Sequence, residues 1–177
     1  MARFEGFSEK AKLYMEHFDI ISEFEDAFKS DTKSLFGAIE DEIKSHDWFD
    51  GDEWKIETTT FTIRIYKHNW IKKRKGIYFY IAYGKWEIKK KEVYMSLYFD
   101  PTKNREHLIK RLSELSKEKH DELRRKNYRV QDRGANFIIK KFAFNEGTIV
   151  EDVVEHLNDI IFLGKSIDEA LKSTEGA

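Results

Sequence analysis

The spacing of apolar residues along this chain switches from helical to strand-like and back, and that succession leaves few folds open. Phe7, Ala11, Tyr14, Phe18, Ile21 and Phe28 recur at intervals of three, four or seven, one stripe of an amphipathic helix with Ser8 placed as its N-cap. A second helix is predicted after Asp31, with Leu35, Ile39 and Ile43 on its apolar face, and Asp50-Gly51-Asp52 breaks the pattern. Beyond Trp54 the period becomes two. Phe61, Ile63 and Ile65, then Ile77, Phe79, Ile81 and Tyr83, then Val93, Met95, Leu97 and Phe99 alternate with Thr, Tyr, Ser and Arg. These runs predict three strands of an antiparallel meander, joined by loops at 68–75 and 84–91.

Asp100-Pro101-Thr102 ends the meander and opens a predicted long helix, with Leu108, Leu112, Leu115 and Leu123 on its buried side and Asn127 closing it. Two more strands are expected near 127–131 and 136–144, linked by Asp132-Arg133-Gly134. Thr148-Ile149-Val150-Glu151 reads as a capping box before a helix that Gly164 stops, and Ser166 opens a short last helix. The order ααβββαββαα predicts an α+β fold: a mainly antiparallel sheet of about five strands, a meander plus a hairpin, with helices packed on one face. We expect one domain over residues 1–177, with a possible N-terminal helical subdomain at 1–50 and an α+β core at 54–172.

Charge is sorted along the chain. Residues 1–55 carry 7 Lys and Arg against 15 Asp and Glu, residues 56–143 carry 23 against 10, and residues 144–177 carry 2 against 8. A formal net charge of −1 therefore conceals a basic middle block of +13 between flanks of −8 and −6. Two readings are open: an anion-binding surface, with nucleic acid the first partner to consider, or a block balanced by its own acidic flanks.

In a meander, loops 68–75 and 84–91 lie at opposite ends of the sheet. A long helix returning from Thr102 would overhang the second of these. That places Arg124, Arg125 and Lys126 beside Lys89, Lys90 and Lys91, with Lys85 and Arg129 joining them, as the candidate nucleic-acid-binding set. Trp70 and Trp86, next to the basic loops, are candidates for stacking on bases, or else lids on the core. The Tyr78, Tyr80, Tyr94 and Tyr98 face of the sheet offers the alternative, an apolar patch for a protein partner or a second copy in a homodimer, with no nucleic-acid contact.

Catalytic signatures are weak. Gly76-Ile77-Tyr78 and Tyr80-Ile81-Ala82 imitate a GIY-YIG nuclease pattern, but one residue separates them where that family has about ten. Glu87-Ile88-Lys89 has the E-x-K spacing of PD-(D/E)XK nucleases, yet no Asp or Glu lies between Glu57 and Glu87 to supply the second metal ligand. The six histidines show no paired ligand spacing, and there is no Cys, P-loop, G-x-G-x-x-G or G-x-S-x-G. The sequence names no reaction, metal or cofactor, and it points to binding rather than catalysis. No apolar run approaches the length that spans a bilayer, and the first residues lack a signal-peptide pattern, so a cytoplasmic protein without membrane contact is expected.

One span carries a resemblance. Asn69-Trp70-Ile71, Gly76-Ile77-Tyr78-Phe79, Val93 through Asp100, Asn104-Arg105, the Leu108–Leu123 helix, the 136–144 strand and the terminal helix resemble, in their order, prokaryotic α+β modules of the DUF4268 type, which accompany PD-(D/E)XK-like nucleases. The resemblance covers roughly residues 54–172. It implies an accessory role beside nucleic-acid processing, as in restriction or phage defence, without the nuclease half.

Overall fold

A computed structural model describes residues 6–72, 75–102 and 104–175; within these, the side chains of 72, 75, 85, 86, 174 and 175 are not described. The fold is α+β. The helices are α1 (Glu9–Glu16), α2 (Phe18–Lys44), α3 (Lys85–Lys90), α4 (Arg105–Leu115), α5 (His120–Arg125), α6 (Ile149–Asn158) and α7 (Leu163–Glu175). The strands are β1 (Trp54–Thr58), β2 (Thr62–Lys67), β3 (Ile71–Lys72), β4 (Lys75–Ala82), β5 (Glu92–Phe99), β6 (Arg129–Val130) and β7 (Asn136–Ala143).

Six strands pair antiparallel in the order β1-β2-β4-β5-β7-β6, and β3 pairs with the start of β4. The expectation of about five strands is close. The difference is β1, which pairs Trp54 through Thr58 with Lys67 back through Ile63 on β2 and forms one sheet edge, and the two-residue β3. Gly76 pairs with Ile71 across β3 and β4: a Cβ there would sit 2.2 Å from the Trp70 carbonyl oxygen, so the two backbones can meet only at a residue without a side chain.

Alternation divides the sheet. Ile63, Ile65, Phe79, Ile81, Val93, Met95, Leu97 and Ile138 point to one face, where Leu108, Ile109 and Leu112 of α4, Val153 and Leu157 of α6 and Ile167 of α7 complete the core. Phe36, Ile39 and Ile43 bring the C-terminal half of α2 into the same core. The N-terminal half of α2 differs: its first buried residue is Thr32, and α1 has none.

Several local expectations change. Ser8 does cap α1, accepting the Ala11 N–H at 3.3 Å. Asp31 caps nothing, because α2 runs through it without interruption. Thr148 spends its hydroxyl on Asp152 at 2.8 Å, not on the backbone, so the capping box is not formed. Gly164 lies inside α7, where its bare Cα leaves room for the Trp54 ring. The long helix after Thr102 is two short ones. Ser116, buried, turns its hydroxyl to the Leu112 carbonyl at 2.8 Å and sits 3.0 Å from His120 Nε2, and a 3-10 turn at Lys117–Lys119 bends the chain there. An 11-residue α4 spans only about 16 Å, and the chain continues through the 3-10 turn into α5. Asn127 does close α5, in the left-handed conformation at φ 63°.

Three of the four tryptophans gather at the β1 end. Trp48, Trp54 and Trp70 meet edge to face at centroid distances of 5.5 and 5.4 Å. Beneath them Asp168 of α7 accepts from Trp70 Nε1 at 2.7 Å, Lys67 Nζ at 2.9 Å and Asn69 Nδ2 at 3.4 Å. Burial opposes the ionised form of Asp168, but the hydrogen bonds from Trp70 and Lys67, with the Lys67 charge, outweigh it and hold its pKa below the usual carboxylate range.

Candidate functional site

The face of the sheet opposite the core is paved with tyrosines. Register sets Glu57, Arg64, Tyr80, Ser96, Ile139 and Arg129 in one row across five paired strands and the edge strand β6. On one side of that row Tyr78 faces Tyr98, and on the other Ala82 faces Tyr94, which faces Lys141. Tyr78 and Tyr98 stack at 5.2 Å, and Tyr80 touches Tyr78, Tyr94 and Tyr98 at 6.2–6.4 Å. Tyr78, overlaid by these rings and by the Arg64 guanidinium 5.0 Å above its centroid, is only 6% exposed. Tyr66, Tyr80, Tyr94 and Tyr98 are half-buried, each with ring surface left open.

Hydroxyl chemistry fixes the ring positions. Tyr66 donates to Glu57 Oε1 at 2.6 Å, Tyr78 to Asp100 Oδ1 at 3.4 Å, and Tyr94 to Asn136 Oδ1 at 3.0 Å. Burial, then the neighbouring carboxylates, push the Tyr66 and Tyr78 pKa values up to about 12, so both phenols stay protonated donors at neutral pH. Ser96 Oγ is fully buried in the middle of the face and has no hydrogen-bond partner among the described residues.

The ionic groups of this face fall into two kinds. Of its carboxylates, Glu57 is engaged by Tyr66, Asp100 accepts from the Gly76 N–H at 3.0 Å, and Glu87 accepts from the Gly84 N–H at 3.2 Å; Glu92 is the exception. Its cations Lys55, Arg64, Lys90, Arg129 and Lys141 are exposed, and none makes an ion pair with a described residue. Two hollows flank the tyrosines. One of about 320 Å³ is lined by Glu57, Arg64, Tyr66, Ile71, Tyr78 and Asp100; the other, about 290 Å³, by Glu87, Lys90, Glu92, Val93, Tyr94 and Lys141.

The candidate residues drawn from the sequence divide between two places. Lys90 and Arg129 belong to the tyrosine side, Lys90 beside Lys141 and Arg129 on β6. Lys89 and Lys91 are exposed at the end of α3, without an ion-pair partner among the described residues. Arg124, Arg125 and Lys126 lie on the helix side. Arg124 pairs with Asp121 at 3.0 Å, Arg125 Nε donates to the Asp121 carbonyl at 3.4 Å, and Lys126 pairs with Asp159 at 2.5 Å. No described contact joins 124–126 to 89–91. Lys85 and Trp86 contribute backbone to α3, but their side chains lie outside the described residues, as do those of 72–75. Trp70 is 2% exposed, with its indole N–H committed to Asp168; it is a core residue and has no ring face to offer a base. The E-x-K run Glu87-Ile88-Lys89 sits on a helix, with its carboxylate used as a cap, and no group of three or more metal-ligating side chains occurs among the described residues.

Lys126 belongs instead to a compact polar cluster behind β7. Tyr128 donates to the His156 carbonyl at 2.9 Å and to Asp159 Oδ2 at 3.1 Å, and Lys140 Nζ donates to the Lys126 carbonyl while lying 4.8 Å over the Tyr128 ring. His156 Nδ1 is buried and, at 3.9 Å from Asp159, beyond hydrogen-bond reach. Burial, helped by the Lys140 charge, lowers the His156 pKa, and burial likewise lowers that of His120. Both rings are therefore held neutral in the fold while the unfolded chain takes up protons near pH 6.5. Stability should be complete above that pH and fall as the pH drops below it, by at most about 1.4 kcal/mol per pH unit for each histidine. Urea melts at pH 7.5 and pH 5 check this: the loss on acidification should be smaller in His156→Gln than in the parent.

The chain matches no protein-family model, no curated protein and no solved structure. No helix among the described residues is long and apolar enough to cross a membrane.

Proposed function

We propose that this chain is a non-catalytic binding module that takes single-stranded nucleic acid on its open tyrosine face. One observation carries the reading: on that face most carboxylates accept internal hydrogen bonds, whereas five cations surrounding half-open aromatic rings make no ion pair with a described residue. Aromatic rings on an antiparallel sheet stack unpaired bases, and surrounding Lys and Arg meet the backbone phosphates. Half-buried Tyr80, Tyr94 and Tyr98 would carry the stacking. Arg64 at one hollow and Lys90 with Lys141 at the other would bracket the strand, and Arg129 would extend the path past β7. A duplex cannot present its base faces to this surface, so unpaired strands are the preferred ligand. The accessory role in restriction or phage defence that the DUF4268-type resemblance implies is consistent with such a ligand.

Fluorescence anisotropy with labelled oligothymidylate, oligouridylate and a duplex tests the proposal. Either single strand should bind more tightly than the duplex, with affinity falling steeply between about 50 and 200 mM salt. Equal binding of duplex and single strands, or none at low salt, would remove this reading.

A further inference from the structure

We propose, independently of the nucleic-acid reading, that residues 8–27 pair antiparallel with the same segment of a second copy of this chain. The observations come from the other end of the molecule. α1 and the first turns of α2 form an arm with no buried residue before Thr32, yet Leu13, Tyr14, Met15, Phe18, Ile20 and Phe24 are each 48–72% exposed. That much bare apolar surface on one segment marks an interaction site. From Glu9 the arm passes through a single non-helical residue, His17 (φ −109°, ψ 17°), which closes α1 with its N–H on the Leu13 carbonyl and opens α2 by accepting the Ile21 N–H at 3.0 Å, so the two helices follow one another directly over about 29 Å of helical rise.

The pattern on this arm is self-complementary. A two-fold axis between His17 and Phe18 sets Tyr14 opposite Ile21, Ala11 opposite Phe24 and His17 opposite Phe18 of the second copy. The same register sets Lys10 opposite Glu25, and symmetry forms that pair twice. At helical spacing these residues lie on one broad face. Glu9, Glu16, Asp19 and Asp26 fall on the far side, so the like-charged pairs that this register creates, Glu9 with Asp26 and Glu16 with Asp19, do not meet. Leu13, Ile20 and Met15 lie on the flanks of the seam. The paired stretch ends at residue 27, one short of Phe28, which stacks on Phe61 of its own body at 6.0 Å. The seam thus uses the whole length of arm that the body leaves free and stops where the body begins. A parallel pairing would put Lys10 against Lys10 and Glu25 against Glu25. A self-complementary contact of this kind closes as a dimer.

The chain has no Cys, so single cysteines report the register without background. With a short bismaleimide, a mixture of Tyr14→Cys and Ile21→Cys proteins should cross-link, and neither alone should do so comparably; Phe18→Cys alone should cross-link because it lies next to the axis. Sedimentation should show a dimer for the parent. Lys10→Glu and Glu25→Lys should each weaken it roughly tenfold, and Lys10→Glu/Glu25→Lys should restore it. A parent that remains monomeric at about 100 µM overturns the proposal. So does self-cross-linking of Tyr14→Cys equal to that of the mixture, or a double charge swap no tighter than the single variants.

Discussion

Reversing Arg64 and Lys141 together, as R64E/K141E, is expected to weaken single-strand binding by at least about tenfold and to flatten its dependence on salt. Each cation that meets a phosphate adds about 0.7 to the slope of log K against log salt for a single strand, so losing two should lower the slope by about 1.4. Both side chains are exposed and neither takes part in a described ion pair; R64E gives up the contact over Tyr78 and sets a carboxylate opposite Glu57, so its melting curve is recorded alongside binding. Tyr80→Ala/Tyr98→Ala should also reduce affinity, by about 1–3 kcal/mol per lost stack, but should leave the salt slope unchanged because no phosphate contact goes with the rings. Comparing the two variants by anisotropy separates backbone contacts from base contacts. R124E/R125E is the control: these residues lie on the helix side of the sheet, engaged with Asp121. An R124E/R125E protein that loses as much affinity as R64E/K141E would move the surface to the helix side.

Asp168→Ala should be strongly destabilising for a substitution outside the apolar core, costing about 2–4 kcal/mol. It would leave the Trp70 indole N–H, 2% exposed as part of its side chain, without an acceptor, and Lys67 with Glu53 alone at 2.9 Å. The Asp168 side chain keeps 21% of its surface in water, which places the cost below that of a fully buried pair. Asp168→Asn, which preserves an acceptor for Trp70 but gives up the charge, should lose less. The pH dependence has a definite sign. Because the folded pKa of Asp168 is depressed, its contribution is complete above the ordinary Asp value near 3.9 and is lost as the pH falls through the folded value. The gap between parent and Asp168→Ala, measured by chemical denaturation, should therefore be constant from pH 5 to 7 and shrink below about pH 4.

The strands were legible because β-branched and aromatic residues alternate without interruption through 77–83 and 93–99, where burial of one face enforces a period of two. Helices were legible as stripes but not in their ends. Asp31 has the chemistry of a cap and stands in mid-helix, since Thr32 and Phe36 beyond it are already buried against the sheet and the helix is held by that packing. The break at Ser116 carries no Gly or Pro to announce it: the Leu108, Leu112, Leu115 stripe continues across, and only the buried Ser116–His120 contact shows why the chain bends. α3 was not legible because Lys85–Lys90 is six residues, three of them Lys with one each of Trp, Glu and Ile, too short for a periodicity to register. Asp168 was invisible as a partner for Lys67 and Trp70, because about a hundred residues separate them and nothing local reflects the contact. The tyrosine face, by contrast, could be read residue by residue from Tyr78, Tyr80, Tyr94 and Tyr98; what the sequence could not show was which carboxylates around it are already engaged.

The edge-to-face row of Trp48, Trp54 and Trp70 has a practical corollary. Three coupled indoles held rigidly at one corner of the sheet should give a strong near-ultraviolet dichroic signal that vanishes when β1 and α7 part. The phenol rings across the sheet absorb at shorter wavelength. Global melting and events on the tyrosine surface can therefore be followed in the same sample through different chromophores, with no added label.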